Sequence, residues 1–467
     1  MTKKRLNRRD FLKKSGTAGL GMALGSMAMS KNRGIRQRQL ETEPIEHLVA
    51  PPIKTVRVGY VGIGNQGSGH LRNLLRIEGV EIQAVCDIRE ERTLWAQERC
   101  TKVGKSKPTA YNRGPEDFKR MCDSEELDLV YNATPWEWHV PISVKAMETG
   151  SHAASEVPGA ITLEGCWELV ETSERYKKHC CTMENCNYDW TELMLFYMVR
   201  QGLFGELLHA ECGYLHDLRG WKFGQAYFPH DWRLKYSIKR NADLYPTHGL
   251  GPVSQWMDIT RGNKFEYLVS MSSPSRSLKL EAIRRYGKDH PLAKTDYALG
   301  DVVNTLIKTN KGQTILVTHD TNSPRPYSRR ILIQGTKGLA RKYPEEKIYL
   351  EGISAPHRWD DISSDYIGKG NHYTFYREQY KHPLLISLEE KAEGAGHGGM
   401  DFIEDYRLIQ CLREGKPTDS DVYEGATISA VVALSEKSIA EKSAPIEFPD
   451  FTRGKWKTRI PLGIVTA

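Results

Sequence analysis

The sequence lacks a long apolar run. Its nearest candidate, residues 15–30, is too short and too rich in glycine to span a bilayer, so no stable membrane anchor is expected. None of the nine cysteines stands in a C-x-x-C spacing, which removes the common zinc and dithiol readings. The chain is long enough to form cores without staples, so buried thiols are expected, with a single bridge left open. No His-x-x-x-His or equivalent cluster appears, and no metal is expected. Basic residues form no stripe interleaved with aromatics. Much of the formal charge of +7 lies before residue 40, so the body is nearly neutral and nucleic acid is not an expected partner. There is no internal repeat and no low-complexity tract. What is left is an ordinary globular composition, 39% hydrophobic and 27% charged, over 467 residues, enough for two or three domains.

What the chain does have begins at its front. Arg8-Arg9-Asp10-Phe11-Leu12-Lys13 precedes the short apolar stretch, the pattern of a twin-arginine signal peptide. Residues 1–31 are read as that signal and 32–53 as a linker. The expected partner is the twin-arginine export machinery and the expected location is the periplasm. No cysteine lies there to carry a lipid. A protein that folds before crossing can take a cytoplasmic dinucleotide with it, so tight binding is expected.

Residues 55–61 read as a buried strand running into Gly62-Ile63-Gly64-Asn65-Gln66-Gly67, with a helical pattern after it. That is G-x-G-x-x-G in strand-turn-helix context. Gly62 allows the turn, Gly64 lets backbone approach a pyrophosphate, and Gly67 lets helix and strand pack closely. A second strand, 80–87, ends at Asp87, twenty residues past Gly67, where an acid accepts from the adenosine ribose and disfavours a 2′-phosphate. NAD is therefore favoured over NADP, with Arg89 as the one contrary sign. Strands at 127–133, 151–155 and 180–184 alternate with helices, so a doubly wound parallel Rossmann sheet is predicted over 54–186. Its strand ends place Trp136, Glu137, Trp138, His139, Glu156, Val157 and Asn185 on the nicotinamide side. From 187 to 445 strand-like runs follow one another, predicting an α+β domain with an open, largely antiparallel sheet. The stretch 355–399 reads as loop, and 446–467 as a C-terminal tail.

With these motifs, the chain resembles the superfamily of glucose–fructose oxidoreductase, inositol dehydrogenase and the rhizopine catabolism protein. The markers are the glycine loop, Asp87, Ala133-Thr134-Pro135, Glu156-Val157-Pro158 and Gly202-Leu203-Phe204-Gly205. Ordinary dehydrogenases of that group carry lysine where Val157 stands, and valine transfers no proton. The whole chain is similar to glycoside hydrolase family 109, on the leader, Trp136-Glu137-Trp138-His139, Glu156-Val157-Pro158 and Tyr245-Pro246-Thr247-His248-Gly249-Leu250-Gly251-Pro252.

That resemblance implies a retaining, NAD-dependent α-N-acetylgalactosaminidase. The glycoside would be oxidised transiently at carbon 3, eliminated, hydrated and reduced again, with no net use of cofactor. It implies Asn65, Gln66, Asp87, Trp136, Glu137, Trp138, His139, Glu156, Val157, Asn185 and Tyr245 for NAD. For the sugar it implies Tyr214, Arg233, Tyr245, Pro246, Thr247, His248 and Tyr327. His248 is the expected acid/base, because imidazole titrates near working pH, and Tyr245, three residues earlier, is its expected partner on one helical face. His216, His230, His319 and His397 read as surface or structural. A sugar dehydrogenase with exchangeable cofactor and a non-catalytic sensor stay open, as does a homo-oligomer.

Overall fold

A computed structural model describes residues 42–224, 227–362 and 376–467, without the side chain of Pro229. The predicted signal peptide, residues 32–41 of the expected linker and the segment 363–375 of the expected loop lie outside the described residues. The compact unit runs from Glu41 to Ala467. Its first sheet is built from β1 (Val56–Val61), β2 (Val80–Cys86), β3 (Thr109–Tyr111), β4 (Leu129–Asn132), β5 (His152–Ser155) and β6 (Cys180–Thr182). All pairings are parallel and the order is β3-β2-β1-β4-β5-β6. The order reverses direction beside β1, so the crevice at its carboxyl end is the switch point of a doubly wound sheet. The central strands are apolar on both faces: Val56, Val58, Tyr60 and Leu129 are fully buried on one, and Val61 and Val130 are buried on the other. The three-residue edge strand β3 carried too little pattern to be read from sequence.

The second sheet joins β7 (Leu207–Leu215), β8 (Phe265–Ser272), β9 (Val303–Thr309), β10 (Thr314–Asp320), β11 (Leu332–Gly335), β12 (Gly338–Arg341), β13 (Lys347–Leu350), β14 (Asp360–Asp361) and β15 (Ile446–Glu447). Only β7 and β10 pair in parallel, and the other pairings are antiparallel. The helix Val422–Ala440 packs on β8. The chain after residue 446 adds β15 to this sheet and buries Phe448 and Phe451.

Part of the expected loop is helical. Tyr376–Gln379 forms one turn, and Pro383–Ala392 a full helix. Pro383 sits at the start, where its missing N–H is no loss, and the His382 side chain caps it by accepting from Leu384 N. Leu384, Leu385 and Leu388 recur at helical spacing and enter the core around β1, together with Phe402, Ile403 and Leu412 of the helix Met400–Glu414. Late sequence thus closes the early domain, and this brings acidic residues of Met400–Glu414 to the crevice. All nine cysteines are buried and unbridged. Among the described residues no helix is long and apolar enough to cross a membrane.

Candidate functional site

β1 ends in the glycine loop, where Gly62 and Gly67 each have a steric reason. Gly62 has φ +86°, and a Cβ on it would lie 2.7 Å from the Ala133 backbone; a Cβ on Gly67 would overlap the Gly62 carbonyl oxygen. Gly64 faces open space. The helix Asn65–Leu74 that follows has no side-chain cap and no acid in its first turn. Its leading amides are left for an anion, which fits a dinucleotide pyrophosphate. Asp87 Oδ2 accepts from Ile63 N at 2.7 Å and Oδ1 from Arg89 N at 2.9 Å. A carboxylate has capacity for more, so Asp87 can hold the loop and still meet ribose hydroxyls.

From this loop a cavity of about 630 Å³ runs along the ends of β1, β2, β4 and β5 to the second domain. Its far end is aromatic. Tyr245 packs 4.7 Å from Tyr214, 4.8 Å from His248 and 5.8 Å from Trp136, ring centre to ring centre. The Arg233 guanidinium lies 4.6 Å over Tyr245 and 5.0 Å over Trp136, and its Nη2 is buried with no hydrogen-bond partner among the described residues. Val157 is buried in the same cluster. Burial pushes the Tyr214 phenol up to about 12 and the Tyr245 phenol well above its ordinary value, so both are neutral hydroxyls at working pH.

His248 Nδ1 lies 2.8 Å from Glu184 Oε1, which also accepts from the Cys186 amide. An imidazole donating from Nδ1 to a carboxylate leaves Nε2 as its acceptor. The donor atoms of Glu184, Cys186 and His248 all fall within 4.8 Å of one another. Burial raises the Cys186 thiol, which meets Asn185 Oδ1 at 3.5 Å, while Glu184 anchors the imidazole. His216 Nδ1 meets the Tyr214 hydroxyl at 3.0 Å, and burial lowers that imidazole to about 4.

A second polar group backs the wall between the two ends. Asp401 accepts from Asn185 at 2.7 Å and Gln66 at 3.3 Å, and faces His397 Nδ1 at 2.8 Å. Burial alone would raise Asp401; the bonds from His397 and Asn185 and the charges of His70 and His397 together outweigh it and hold the carboxyl at about 2. Glu156 Oε1 lies 2.8 Å from His70 Nε2.

Of the residues named from sequence, the cavity wall gathers Gly62, Gly64, Asn65, Gln66, Asp87, Trp136, Trp138, His139, Glu156, Val157, Asn185, Tyr214, Arg233, Tyr245, His248 and Tyr327. Gly67 is packed beneath it. The His139 nitrogens are engaged by the carbonyls of Pro158 (2.7 Å) and Thr134 (2.8 Å), so the ring ties two strand-end loops together. Glu137 accepts from Tyr236 at 3.0 Å and, like Pro246 and the buried Thr247, lies outside the lining. Tyr245 precedes the helix Thr247–Trp256 rather than sharing its face with His248. Three histidines read as structural, His216, His230 and His397, line the cavity, as do Trp221, Tyr227 and Trp232. No local motif marks them; residues distant in sequence meet here only through the fold. His319, read as surface or structural, is buried in the second domain.

Residues 56–184 match the family model described as oxidoreductase family, NAD-binding Rossmann fold, and residues 188–458 match the C-terminal domain of glycosyl hydrolase 109. The chain is 44% identical to a glycosyl hydrolase family 109 protein of Shewanella pealeana and 42% identical to an alpha-N-acetylgalactosaminidase of Shewanella oneidensis, each over 99% of both chains. Among solved structures, levoglucosan dehydrogenase in complex with NADH and levoglucosan matches with a TM-score of 0.60 at 18% identity, over 85% of this chain and all of that one. Scyllo-inositol dehydrogenase from Lactobacillus casei matches with 0.57 at 15%, over 84% and 99%. These two likenesses describe the fold.

Proposed function

This chain belongs to glycosyl hydrolase family 109, and from that premise we propose that it is an exported, retaining glycosidase that cleaves α-N-acetylgalactosaminides with a tightly held NAD. One observation carries the reading. A single cavity joins the glycine loop and Asp87 at one end to the Tyr245–His248–Glu184 group at the other. Asp87, the loop amides and Asn185 would hold the cofactor. When bound, NAD supplies a reversible hydride acceptor for carbon 3 of the sugar.

The chain's own groups do the rest. Nε2 of His248, fixed by Glu184, takes the proton from carbon 2, which a ketone at carbon 3 makes acidic. The Tyr245 hydroxyl, neutral by burial, bonds the carbon 3 oxygen. Arg233 and Tyr214 hold hydroxyls and the acetamido carbonyl, and Tyr327 covers the ring. The glycosidic oxygen leaves carbon 1 with its aglycone; water then adds its hydroxyl at carbon 1 while its proton goes to the departed aglycone oxygen, and His248 returns its proton to carbon 2. Val157 keeps that wall apolar and aprotic. The arginine-paired leader supports a periplasmic location and the twin-arginine route. The organisation that fits is signal peptide 1–31, linker 32–53, cofactor domain 54–186 and sugar domain from 187.

Purified protein, given no cofactor, should release nitrophenol from the α-N-acetylgalactosaminide in preference to its β-anomer and to both N-acetylglucosaminides. Free sugar should appear without net NADH. Accumulation of NADH with an oxidised sugar would replace this reading with a dehydrogenase, and retention of NAD with no turnover on any glycoside with a sensor.

A further inference from the structure

Glu156 faces the cavity from the end of β5, and its neighbour in sequence, Val157, carries no charge. Its counter-charge comes from behind the wall. His70, on the helix that follows the glycine loop, is 1% exposed. Its Nε2 lies 2.8 Å from Glu156 Oε1 and its Nδ1 2.8 Å from Asp405 Oδ2. A neutral imidazole has one N–H and would turn a lone pair on one of these carboxylates; two carboxylates on two nitrogens require the imidazolium. Asp405 is itself fixed by Tyr131 Oη (2.9 Å) and Asn73 Nδ2 (3.0 Å).

We propose that His70 is a positioning residue, a buried imidazolium braced by Asp405 that keeps Glu156 ionised and fixed toward the nicotinamide end of the cavity. Glu156 then presents a hydrogen-bond acceptor to cofactor or sugar at every working pH, although it is half-buried beside an apolar residue. The other groups facing this set are few. Tyr60 and Tyr131 stack 5.2 Å apart and are held neutral by burial. Burial raises Glu404 well above the carboxylate range, so it adds no charge. The Gln66 amide nitrogen, 3.1 Å from His70 Nε2, donates to Asp401 Oδ2 at 3.3 Å, and Asp401 is balanced by His397. Burial opposes charge on His70, but Asp405 and Glu156 outweigh it; burial also raises Asp405, against which the charge and bond of His70 and the bonds from Asn73 and Tyr131 act. Burial is the largest influence on Glu156 and opposes its charge, but the bond and charge of His70 together with the Val157 amide bring the carboxyl below its ordinary value.

The inference rests on the cofactor end of the proposed site and not on glycoside turnover, so its test reads the cofactor. Holoprotein carrying nitrogen-15 histidine should show one ring with both nitrogens protonated and no titration between about pH 5 and 9. That signal should vanish in His70→Gln. Absence of such a ring in the unmodified protein overturns the proposal. The fluorescence of bound NADH should be flat between about pH 5 and 8 in the unmodified protein. It should gain an inflection in His70→Gln, as Glu156 loses its cation and titrates, and lose it again in His70→Gln/Glu156→Gln. Because His70→Gln leaves Asp405 facing no cation, His70→Gln/Asp405→Asn is the companion variant, and it should show the same inflection. A flat profile in every folded variant overturns the proposal, since a merely structural histidine would lower stability without creating a new titration.

Discussion

Val157 shows how one residue moves the chemistry of a site. It removes an ionisable side chain from the cavity wall, and the proton work falls to His248, oriented by Glu184 at 2.8 Å. His248→Ala should lower kcat by about 10²- to 10⁴-fold, the range for loss of a general acid–base, while NAD stays bound. Steady-state kinetics and the cofactor content of the purified variant check both halves. An equal loss of bound NAD would make His248 a cofactor ligand instead. At the other end, Asp87→Asn keeps an oxygen for Ile63 N but weakens the acceptor for the ribose. NAD affinity should fall about tenfold, the worth of one hydrogen bond to a charged group. Competition with NADP, which Arg89 then favours, should show the preference narrowing in calorimetry. An unchanged preference would remove Asp87 from cofactor choice.

At the scale of elements, the glycine loop and the helix Asn65–Leu74 leave little freedom. Gly67→Ala would drive a methyl into the Gly62 carbonyl oxygen. The helix must then move off β1, which should lower stability by about 1–3 kcal/mol and release NAD, as thermal melts and the absorbance of the purified protein would show. This element was legible in sequence, because G-x-G-x-x-G and the alternation of strand and helix are local signals. The nine-stranded sheet was legible in class but not in extent: β12 to β15 are four residues or fewer, too short to show a period. Pro383–Ala392 was hidden by its glycine- and histidine-rich surroundings, although Leu384, Leu385 and Leu388 carry the helical spacing. The site divides along the same line. Tyr245 and His248 sit within one motif. Asp401, Asp405 and His397 reach the cofactor end through a packing of the helix Met400–Glu414 on the first domain that no local pattern encodes.

For the whole molecule, buried neutral imidazoles set the acid limit. Burial lowers His152 from 6.5 to about 3, and His179 and His382 from 6.5 to about 4. The unfolded chain takes up these protons below pH 6.5 and the folded protein refuses them, so stability is intact above 6.5 and falls as pH drops toward 4. Melting temperature should decline over that window. His382→Asn, which keeps the cap on Leu384 N and removes a titrating ring, should flatten the decline; an unaltered slope would exclude His382 as a contributor. Cofactor, histidine base and sugar wall act together in one cavity, and the central claim is that this cavity cleaves glycosides by removing the hydrogen at carbon 2. The direct measurement is hydrolysis of nitrophenyl α-N-acetylgalactosaminide in deuterated water, with no cofactor added and the product read by mass and NMR. The account predicts deuterium at carbon 2 of the released sugar with no net NADH. Hydrolysis that leaves carbon 2 unlabelled would contradict it.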